Sequence, residues 1–528
     1  MAGVPCFRPS EPVPDELMYV FDSALLSSSI WAVDITLSVS KNARTDSATV
    51  RLQMVDEPGP RVSISDMGTK YPLSQRLVLL GEAEPAGDTN SDFVWAWAAD
   101  LVNGSNFVPV DLHQLSASAV DNQALLLSPS SLTAGATYRF RLDVSDGRST
   151  GRAEVKITIN APPSGGDVSL LPPHGSAVVD TFNITASGWK DDDIPLSFAF
   201  FYTHDSVSAD TPARRLSEDS TAESVLVFLP AGNLTLIARV ADAYGASTDG
   251  VTAAIVDPYA PPRYSDMKTH AEELLAQTVI CSSNADAVQL IFAFAEHLDQ
   301  TSLTGGISLQ DFQVARATRA TLASGLSHIA AGAVNASTAL LLMLAQASTA
   351  ITSDASQLTT EALNRSVDTL ASLSSAKALQ GVPSAPKGGS CDSVEVCVMK
   401  GSEQRCHLNT TCVDNDGHTV RRVPEPVPTA LIGSLAEGIS NVHVANVRAG
   451  LSRNAIVANV KKLRNSVHQL LAASVIGMYP GEQVKRFSTP AFDLAGFVDR
   501  KAKSTSTTLE VAPNVKVRTP QAAFQQLA

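Results

Sequence analysis

A repeated strand–turn–strand segment limits the fold of this 528-residue chain more than any other feature. TYRFRLDVSDGRSTGRAEVKITI, at 137–159, aligns with NLTLIARVADAYGASTDGVTAAI, at 233–255. In each copy a strand pattern ends in Val-x-Asp, a turn containing glycine follows, and a second strand pattern begins. Short β-branched runs bounded by Gly, Pro, Asp and Ser fill most of the first half. This pattern predicts consecutive antiparallel β-sandwiches.

Domain boundaries follow from the repeat. We place the two complete sandwiches at 58–160 and 161–258. ITLSVSKNARTDSATVRLQMV, at 35–55, has the same ending without the preceding half. Residues 1–57 are therefore predicted to be the truncated end of an earlier repeat, and the chain to be part of a longer protein.

A tryptophan precedes the turn aspartate in each repeat. Trp97 lies 49 residues before Asp146, and Trp189 lies 53 residues before Asp242. Large aromatic side chains at matched positions are more often core residues than ligand platforms. The two aspartates fit turns, because their side chains bond to nearby backbone N–H groups.

The second half has a different periodicity. From about residue 266, apolar residues recur three and four positions apart, which predicts amphipathic helices. The uncharged segment 329–351 contains Asn, Ser, Thr and Gln, so it fits a buried helix better than a membrane span. We divide this half into a helical region at 259–385, a Cys-rich loop or hairpin insertion at 386–425, further helices at 426–478 and the start of a β subdomain at 479–528.

Charge and motifs exclude several functional classes. The net charge of −14 argues against nucleic acid, which needs a basic surface. The sequence has no HExxH, GxSxG or P-loop, and its ten histidines are scattered. We therefore predict that the protein is not an enzyme and has no cofactor, with calcium as the one ligand left open.

Four of the six cysteines fall in one short segment. The spacing C-x5-C-x8-C-x5-C contains no CxxC pair, so a structural zinc site is disfavoured. We favour a locally disulfide-bonded loop, with reduced thiols as the alternative. The disulfide candidates are Cys391, Cys397, Cys406 and Cys412.

Six N-x-S/T sequons indicate a secretory route, although the N-terminal residues lack the apolar segment of a signal peptide. The glycosylation candidates are Asn103, Asn183, Asn233, Asn335, Asn364 and Asn409.

Three consecutive aspartates follow the second tryptophan, in GWKDDDIPLSFAFFY. Asp191, Asp192 and Asp193 precede a strand pattern that starts near Pro195, so we favour a turn. Calcium binding is the alternative, but it needs six to eight oxygens, and neighbouring side chains in an extended segment point apart. A catalytic carboxylate pair is the least favoured interpretation.

The segment INAPPSGGDVSLLPPHGSAVVDTFNITASGWKDDDIPLSFAFFY resembles the REJ (receptor for egg jelly) module of the polycystin family. Two further stretches, at 131–147 and 229–248, add to the resemblance. Asp167 and Ala186 stand where the family often has a cysteine pair. The structural motif that carries the resemblance and the repeat comprises Trp97, Asp146, Gly147, Asn160, Pro162, Pro163, Gly165, Gly166, Pro172, Gly175, Phe182, Gly188, Trp189, Asp191, Asp193, Pro195, Leu196, Asp242 and Gly245.

The resemblance implies tandem sandwiches of the Ig, fibronectin-III or PKD type, followed by a mainly α-helical region similar to a GAIN domain with a short C-terminal β segment. It also implies a non-catalytic ectodomain on the extracellular side of a membrane, acting in adhesion, ligand binding or mechanical coupling. Its expected partners are an extracellular protein or glycan and a membrane domain in the same longer chain. A secreted hydrolase with accessory sandwiches is the main alternative; a fragment with no function of its own is another.

Overall fold

The computed structural model describes most of the chain, with gaps. The described residues are 32–41, 44–53, 59–65, 70–72, 76–85, 93–128, 131–205, 212–261, 263–281, 283–303, 308–376, 379, 390–400, 403–413, 419–421, 427–448, 451–476, 485–498, 509–512 and 515–517. Residues 1–31 of the predicted truncated repeat lie outside this set. The described residues of that segment form an antiparallel pair, β1 (Ala32–Lys41) and β2 (Arg44–Gln53).

The first complete sandwich has a three-stranded and a five-stranded sheet. Its strands are β3 (Arg61–Ile64), β4 (Lys70–Pro72), β5 (Leu77–Glu84), β6 (Val94–Asn103), β7 (Asn106–Val110), β8 (Ala124–Leu127), β9 (Thr137–Ser145) and β10 (Thr150–Asn160), with a short helix, α1 (Leu112–Leu115). The sheets have the orders β3-β5-β8 and β4-β10-β9-β6-β7. Every second residue of β9 is buried, as its alternating sequence predicts. Phe140, Leu142 and Trp97 form its core with residues of the facing sheet.

The second sandwich repeats this topology strand for strand. Its strands are β11 (Asp167–Leu171), β12 (His174–Ser176), β13 (Thr181–Ser187), β14 (Ser197–His204), β15 (Arg214–Arg215), β16 (Ser224–Phe228), β17 (Gly232–Ala241) and β18 (Ser247–Asp257). The orders are β11-β13-β16 and β12-β18-β17-β14-β15. In both units the second strand pairs in parallel with the last, and the remaining ladders are antiparallel. The prediction of tandem sandwiches is confirmed.

Helices form the next region, as predicted. They are α2 (Asp266–Cys281), α3 (Asn284–Leu303), α4 (Leu309–Ala331), α5 (Thr338–Ile351), α6 (Thr360–Ser374), α7 (Thr429–Arg448) and α8 (Arg453–Val475), with short 3-10 turns at Ala333–Asn335 and Ala355–Gln357. Helix α4 begins after Ser308, whose hydroxyl accepts a hydrogen bond from the N–H of Asp311. Helix α5, within the uncharged segment, is buried along most of its length between α3 and α7. Within the described residues, no helix combines the length and hydrophobicity that a membrane crossing requires.

Two small sheets complete the described chain. β19 (Ser390–Lys400), β20 (Glu403–Val413) and β21 (Thr419–Arg421) form an antiparallel sheet inserted between α6 and α7. β22 (Lys485–Ser488), β23 (Asp493–Val498), β24 (Leu509–Ala512) and β25 (Val515–Val517) form a second sheet, in the order β22-β23-β25-β24. Buried Phe492 and Leu494 join this last sheet to the core of the helical region.

Candidate functional site at the junction of the two sandwiches

Two glycines seat the tryptophan that precedes the acidic run. A Cβ atom at Gly166 would lie 2.3 Å from the indole of Trp189, and one at Gly250 would lie 2.8 Å from its far edge. The ring therefore fits between two backbone segments that tolerate no side chain. The N–H groups of Ser164 and Lys190 each donate to the carbonyl of the other, at 3.0 Å, and hold the two loops together.

The aspartates after the tryptophan form a turn. The N–H of Asp193 donates to the carboxylate of Asp191 at 2.7 Å, which is an Asx turn. The carbonyl of Asp193 accepts from the N–H of Ala243 at 3.0 Å, so this turn is tied to the loop between β17 and β18. Asp192 lies between them and is exposed.

The hydrogen bond from Ala243 to Asp193 brings a third carboxylate, that of Asp242, close to the turn. Carboxylate oxygens of Asp191, Asp193 and Asp242 all lie within 4.8 Å of one another. The sequence interpretation placed Asp192 in the candidate calcium set, whereas the structure puts Asp242 in that position. Three carboxylates supply only part of the six to eight oxygens that calcium takes, and calcium binding stays the untested alternative to the turn.

Groups from the first sandwich already bind this cluster. The ammonium of Lys70, at the start of β4, pairs with the carboxylate of Asp193. It also lies 5.3 Å from the ring centroid of Tyr244. The amide of Asn160, at the end of β10, donates to the carboxylate of Asp242 at 2.6 Å. Because β4 and β10 are paired neighbours, one edge of the first sandwich supplies both contacts.

The charge state of the cluster follows from these contacts. The hydrogen bond to Asp193 raises the pKa of the Lys70 ammonium and keeps it protonated. Burial raises the pKa of Asp242, and the neighbouring Asp191 acts in the same direction. Hydrogen bonds from the N–H groups of Tyr244 and Ala246 and from Asn160 oppose that rise. The cluster is thus a polar junction between two sandwiches, in which an ammonium of one pairs with one carboxylate of the other and a neutral amide binds a second.

The equivalent aspartate of the first sandwich has a simpler role. Asp146 accepts hydrogen bonds of 2.9 Å from the N–H groups of Arg148 and Ser149, which lower its pKa. Asp242 makes the same kind of turn but is buried and also accepts a hydrogen bond from Asn160 of the first sandwich. Sequence reasoning found both aspartates as turn residues and missed Lys70 and the contact of Asn160, because nothing local marks either as a junction residue.

A family comparison bears on this architecture. A family model described as the REJ domain matches residues 19–293, more than half of the chain. The chain belongs to the REJ domain family. The matched REJ region begins before β1, includes both sandwiches and ends inside α3, so it reaches further than the resemblance seen in the sequence. It points to a polycystin-like extracellular module. The GAIN-like interpretation of the helices beyond it stays a prediction.

Two solved structures show distant similarity to the REJ chain. Chicken CNTN1 FN1–FN3 domains share 12% identity over 42% of this chain and 77% of that chain, with a TM-score of 0.25. The N-terminal four Ig domains of Dscam1 isoform 4.44 share 12% identity over 40% of this chain and 50% of that chain, with a TM-score of 0.16. The sheets described above, rather than these values, define the fold.

A second junction joins the REJ sandwich to the helices. The side chain of Gln289 on α3 bonds to both backbone groups of Phe228 at the end of β16. Gln346 on α5 accepts from the N–H of Arg215 at 3.0 Å, and Gln300 donates to the carbonyl of Ala231 at 2.9 Å. Buried residues of this sandwich and of α2 to α8 belong to one continuous hydrophobic cluster.

The remaining predicted sites are the cysteines and the sequon asparagines. In the β19–β20 ladder, Cys391 stands opposite Cys412 and Cys397 stands opposite Cys406. Disulfide formation stays a prediction. The sequon asparagines fall at the end of β6 (Asn103), on β13 (Asn183), on β17 (Asn233), in a 3-10 turn (Asn335), on α6 (Asn364) and on β20 (Asn409).

Proposed function

We propose that this chain is a non-catalytic ectodomain segment of a polycystin-like membrane protein, in which it transmits mechanical load. The family match supports an extracellular module. One observation favours load transmission: the second sandwich and the helices share a hydrophobic core. Domains with separate cores move relative to one another by default, whereas a shared apolar interface couples them.

Load has a continuous path in this arrangement. The first sandwich is held to the second by polar contacts of Lys70 and Asn160. The second is held to the helices by Gln289 and by buried apolar surface. Polar junctions yield more readily than shared cores, so the first connection is the compliant one. An extracellular protein or glycan at the sandwich end and a membrane domain beyond the helices are the proposed partners.

The hydrolase alternative lacks a supporting observation. His297 on α3 is buried, and neither of its ring nitrogens has a hydrogen-bond partner among the described residues. His204 contacts Glu296 at 3.3 Å, and Tyr202 donates to the same carboxylate. These groups connect a strand to a helix, and no serine or cysteine nucleophile in the described chain is bonded to either histidine.

Optical-tweezers unfolding of the full chain tests the mechanical proposal. We expect the first sandwich to open alone, with a release of roughly 350 Å at about 3.4 Å per residue. The second sandwich and helices should then open in one step of roughly 1,000 Å on the same scale. Separate steps for the second sandwich and the helices would contradict the proposal. Gln289→Ala should split the large step, whereas Gln313→Ala, an exposed glutamine on α4, should not.

A further inference from the structure

Two exposed leucines flank one asparagine on the outer face of the second sandwich. Leu171 on β11 is 68% exposed, and Leu226 on β16 is 65% exposed. Strand β13 runs between them and places Asn183 opposite both leucines. Directly opposed residues of antiparallel strands point to the same side of a sheet. The three side chains therefore form one row across this sheet.

The rest of this outer face is polar. The other outward positions of the three strands are Asp167, Ser169, Thr181, Thr185, Ser187 and Ser224, together with Phe228, which packs against the core beside the helices. The inward positions are apolar and at least partly buried, with Phe182 and Ile184 fully so. The exposed aliphatic surface of this sheet is thus confined to the two positions beside Asn183.

Asn183 is the acceptor of a sequon, Asn183-Ile184-Thr185, whose threonine lies two residues further along the same strand and on the same face. We propose that Asn183 carries an N-linked glycan and that the first sugars of this glycan cover Leu171 and Leu226. The C–H faces of sugar rings are apolar, so they can remove the leucine side chains from water while the hydroxyl groups stay solvated.

The modification uses a lipid-pyrophosphate-linked oligosaccharide as donor. The side-chain nitrogen of Asn183 forms a bond to the anomeric carbon of the first sugar. The bond from that carbon to the pyrophosphate oxygen breaks, the lipid pyrophosphate leaves with the bonding electrons, and the amide loses one proton to solvent. No oxidant or reductant is needed. This donor is met only in the secretory pathway, so the inference rests on the proposed ectodomain function.

The other sequons provide internal comparisons. Asn233 on β17 is exposed and stands opposite a single exposed aliphatic residue, Ile255, which is 49% exposed. Asn364 on α6 accepts a hydrogen bond of 3.1 Å from Asn459, and the hydroxyl-bearing Ser366 of its sequon is buried. A glycan at Asn183 would therefore cover more apolar surface than one at Asn233.

Site occupancy is the first test. The full chain is secreted from mammalian cells behind a cleavable leader, and glycans are released enzymatically in heavy-oxygen water. Mass spectrometry then identifies each former glycan site by its labelled aspartate. We expect label at Asn183 in most molecules, no label there in Thr185→Ala, and retained label in Thr185→Ser. An unlabelled Asn183 beside a labelled Asn103 or Asn233 would overturn the inference.

Self-association tests the covering role. We expect Asn183→Gln to self-associate about tenfold more tightly than the glycosylated protein in sedimentation experiments, because the leucine row is uncovered. Replacing both leucines by threonine in that variant should restore the original behaviour. Equal effects of Asn183→Gln and Asn233→Gln would show that the glycan does not cover the row.

If Asn183→Gln is not secreted, the glycan is removed enzymatically from the folded wild-type protein. Self-association is then compared before and after this treatment. The leader imposes secretion, so both readouts are independent of load transmission. Failure here leaves the two-step unfolding of the proposed function intact, and failure of that unfolding pattern leaves the occupancy of Asn183 unchanged.

Discussion

The hydroxyl of Tyr202, on β14 of the second sandwich, donates a hydrogen bond of 2.7 Å to the carboxylate of Glu296 on α3. Tyr202 is fully buried, and burial together with the negative charge of Glu296 raises the pKa of its phenol well above the usual range. The phenol therefore remains a donor at physiological pH. His204 contacts the same carboxylate at 3.3 Å. Side chains from one strand thus converge on one helical residue and fix the sandwich against the helices.

Tyr202→Phe should weaken this connection. A hydrogen bond to a charged group contributes about 1.5–3 kcal/mol, and we expect that loss in the unfolding free energy of the sandwich–helix unit. Urea unfolding followed by helical circular dichroism and by tryptophan fluorescence measures it. Tyr138→Phe is the matched control, since the Tyr138 hydroxyl accepts from the N–H of Thr133 within the first sandwich. If Tyr202→Phe and Tyr138→Phe change the helical unfolding signal equally, the hydrogen bond from Tyr202 to Glu296 does not couple the second sandwich to the helices.

Asn160→Ala should loosen the junction between the sandwiches. It removes the donor to the buried carboxylate of Asp242, and we expect a loss of about 1.5–3 kcal/mol from the unfolding free energy. A double-mutant cycle with Asp242→Asn should show strong coupling between the two positions. Asn106→Ala, at the exposed first residue of β7, should change stability by less than about 0.5 kcal/mol. Additive effects at Asn160 and Asp242 would argue that their contact contributes nothing.

Arg319→Met should be the most destabilising of these substitutions. The guanidinium of Arg319 is fully buried and donates to the carbonyls of Ala350 and Ile351, at the end of α5, and to the side chain of Gln357. It also pairs with Asp299. Removing one member of a buried ion pair costs about 3–5 kcal/mol, and this substitution removes four contacts of one guanidinium together.

The control for Arg319 lies on the same helix. Arg316 is half-buried and donates one hydrogen bond of 3.3 Å to the carbonyl of Leu358. We expect Arg316→Met to cost about 1 kcal/mol or less in thermal or urea unfolding. Comparable losses for the two variants would contradict the role assigned to Arg319.

His297 should make the helical region sensitive to acid. Burial lowers its pKa from 6.5 to about 4, so the folded state holds the ring neutral. Below pH 6.5 the unfolded chain binds a proton that the folded chain does not, and stability falls as the pH drops towards 4. The shift corresponds to about 3 kcal/mol, present above pH 6.5 and lost on acidification through pH 4.

His297→Phe should remove this part of the pH dependence. Unfolding free energies at pH 7, 5 and 4 give the difference between wild type and variant, which cancels the contributions of other titrating groups. His328→Asn, at an exposed position on α4, is the matched control for the loss of a histidine. If the difference in unfolding free energy between His297→Phe and wild type stays constant from pH 7 to 4, His297 is not the source of the acid sensitivity.

The β19–β20 register predicts which cysteines pair in the secreted protein. We expect the disulfides Cys391–Cys412 and Cys397–Cys406, because directly opposed positions of antiparallel strands have backbone separations that a disulfide can span. Trypsin leaves both cysteines of each strand on one peptide, so the digest also needs Glu-C, to cleave after Glu395, and chymotrypsin, to cleave after Leu408. Non-reducing mass spectrometry then separates the three connectivities. Free thiols, or bonds within one strand, would exclude the predicted pairing.

The strands of the sandwiches and the helices after them could be predicted, in order, from the sequence. Alternation of apolar residues predicted the strands of β9 and β17, and the three-to-four spacing predicted the helices. The resemblance to the REJ module marked Gly166 and Trp189 in the sequence, and the structure gives the physical reason, since the indole lies too close to the backbone for a residue other than glycine. Aspartate side chains bond to nearby backbone N–H groups, which predicted a turn at Asp191 and Asp193. The structure forms this turn through their Asx contact.

The contacts between distant residues could not be predicted from the sequence. Lys70 and Asp193 are 123 positions apart, Asn160 and Asp242 are 82 apart, and Tyr202 and Glu296 are 94 apart. These contacts depend on how one domain docks on the next. Docking is set by the summed fit of two surfaces, and no short segment of sequence encodes it. The strands on each side of Asn183 are likewise brought together by sheet pairing, so the leucine row is visible only in the folded chain.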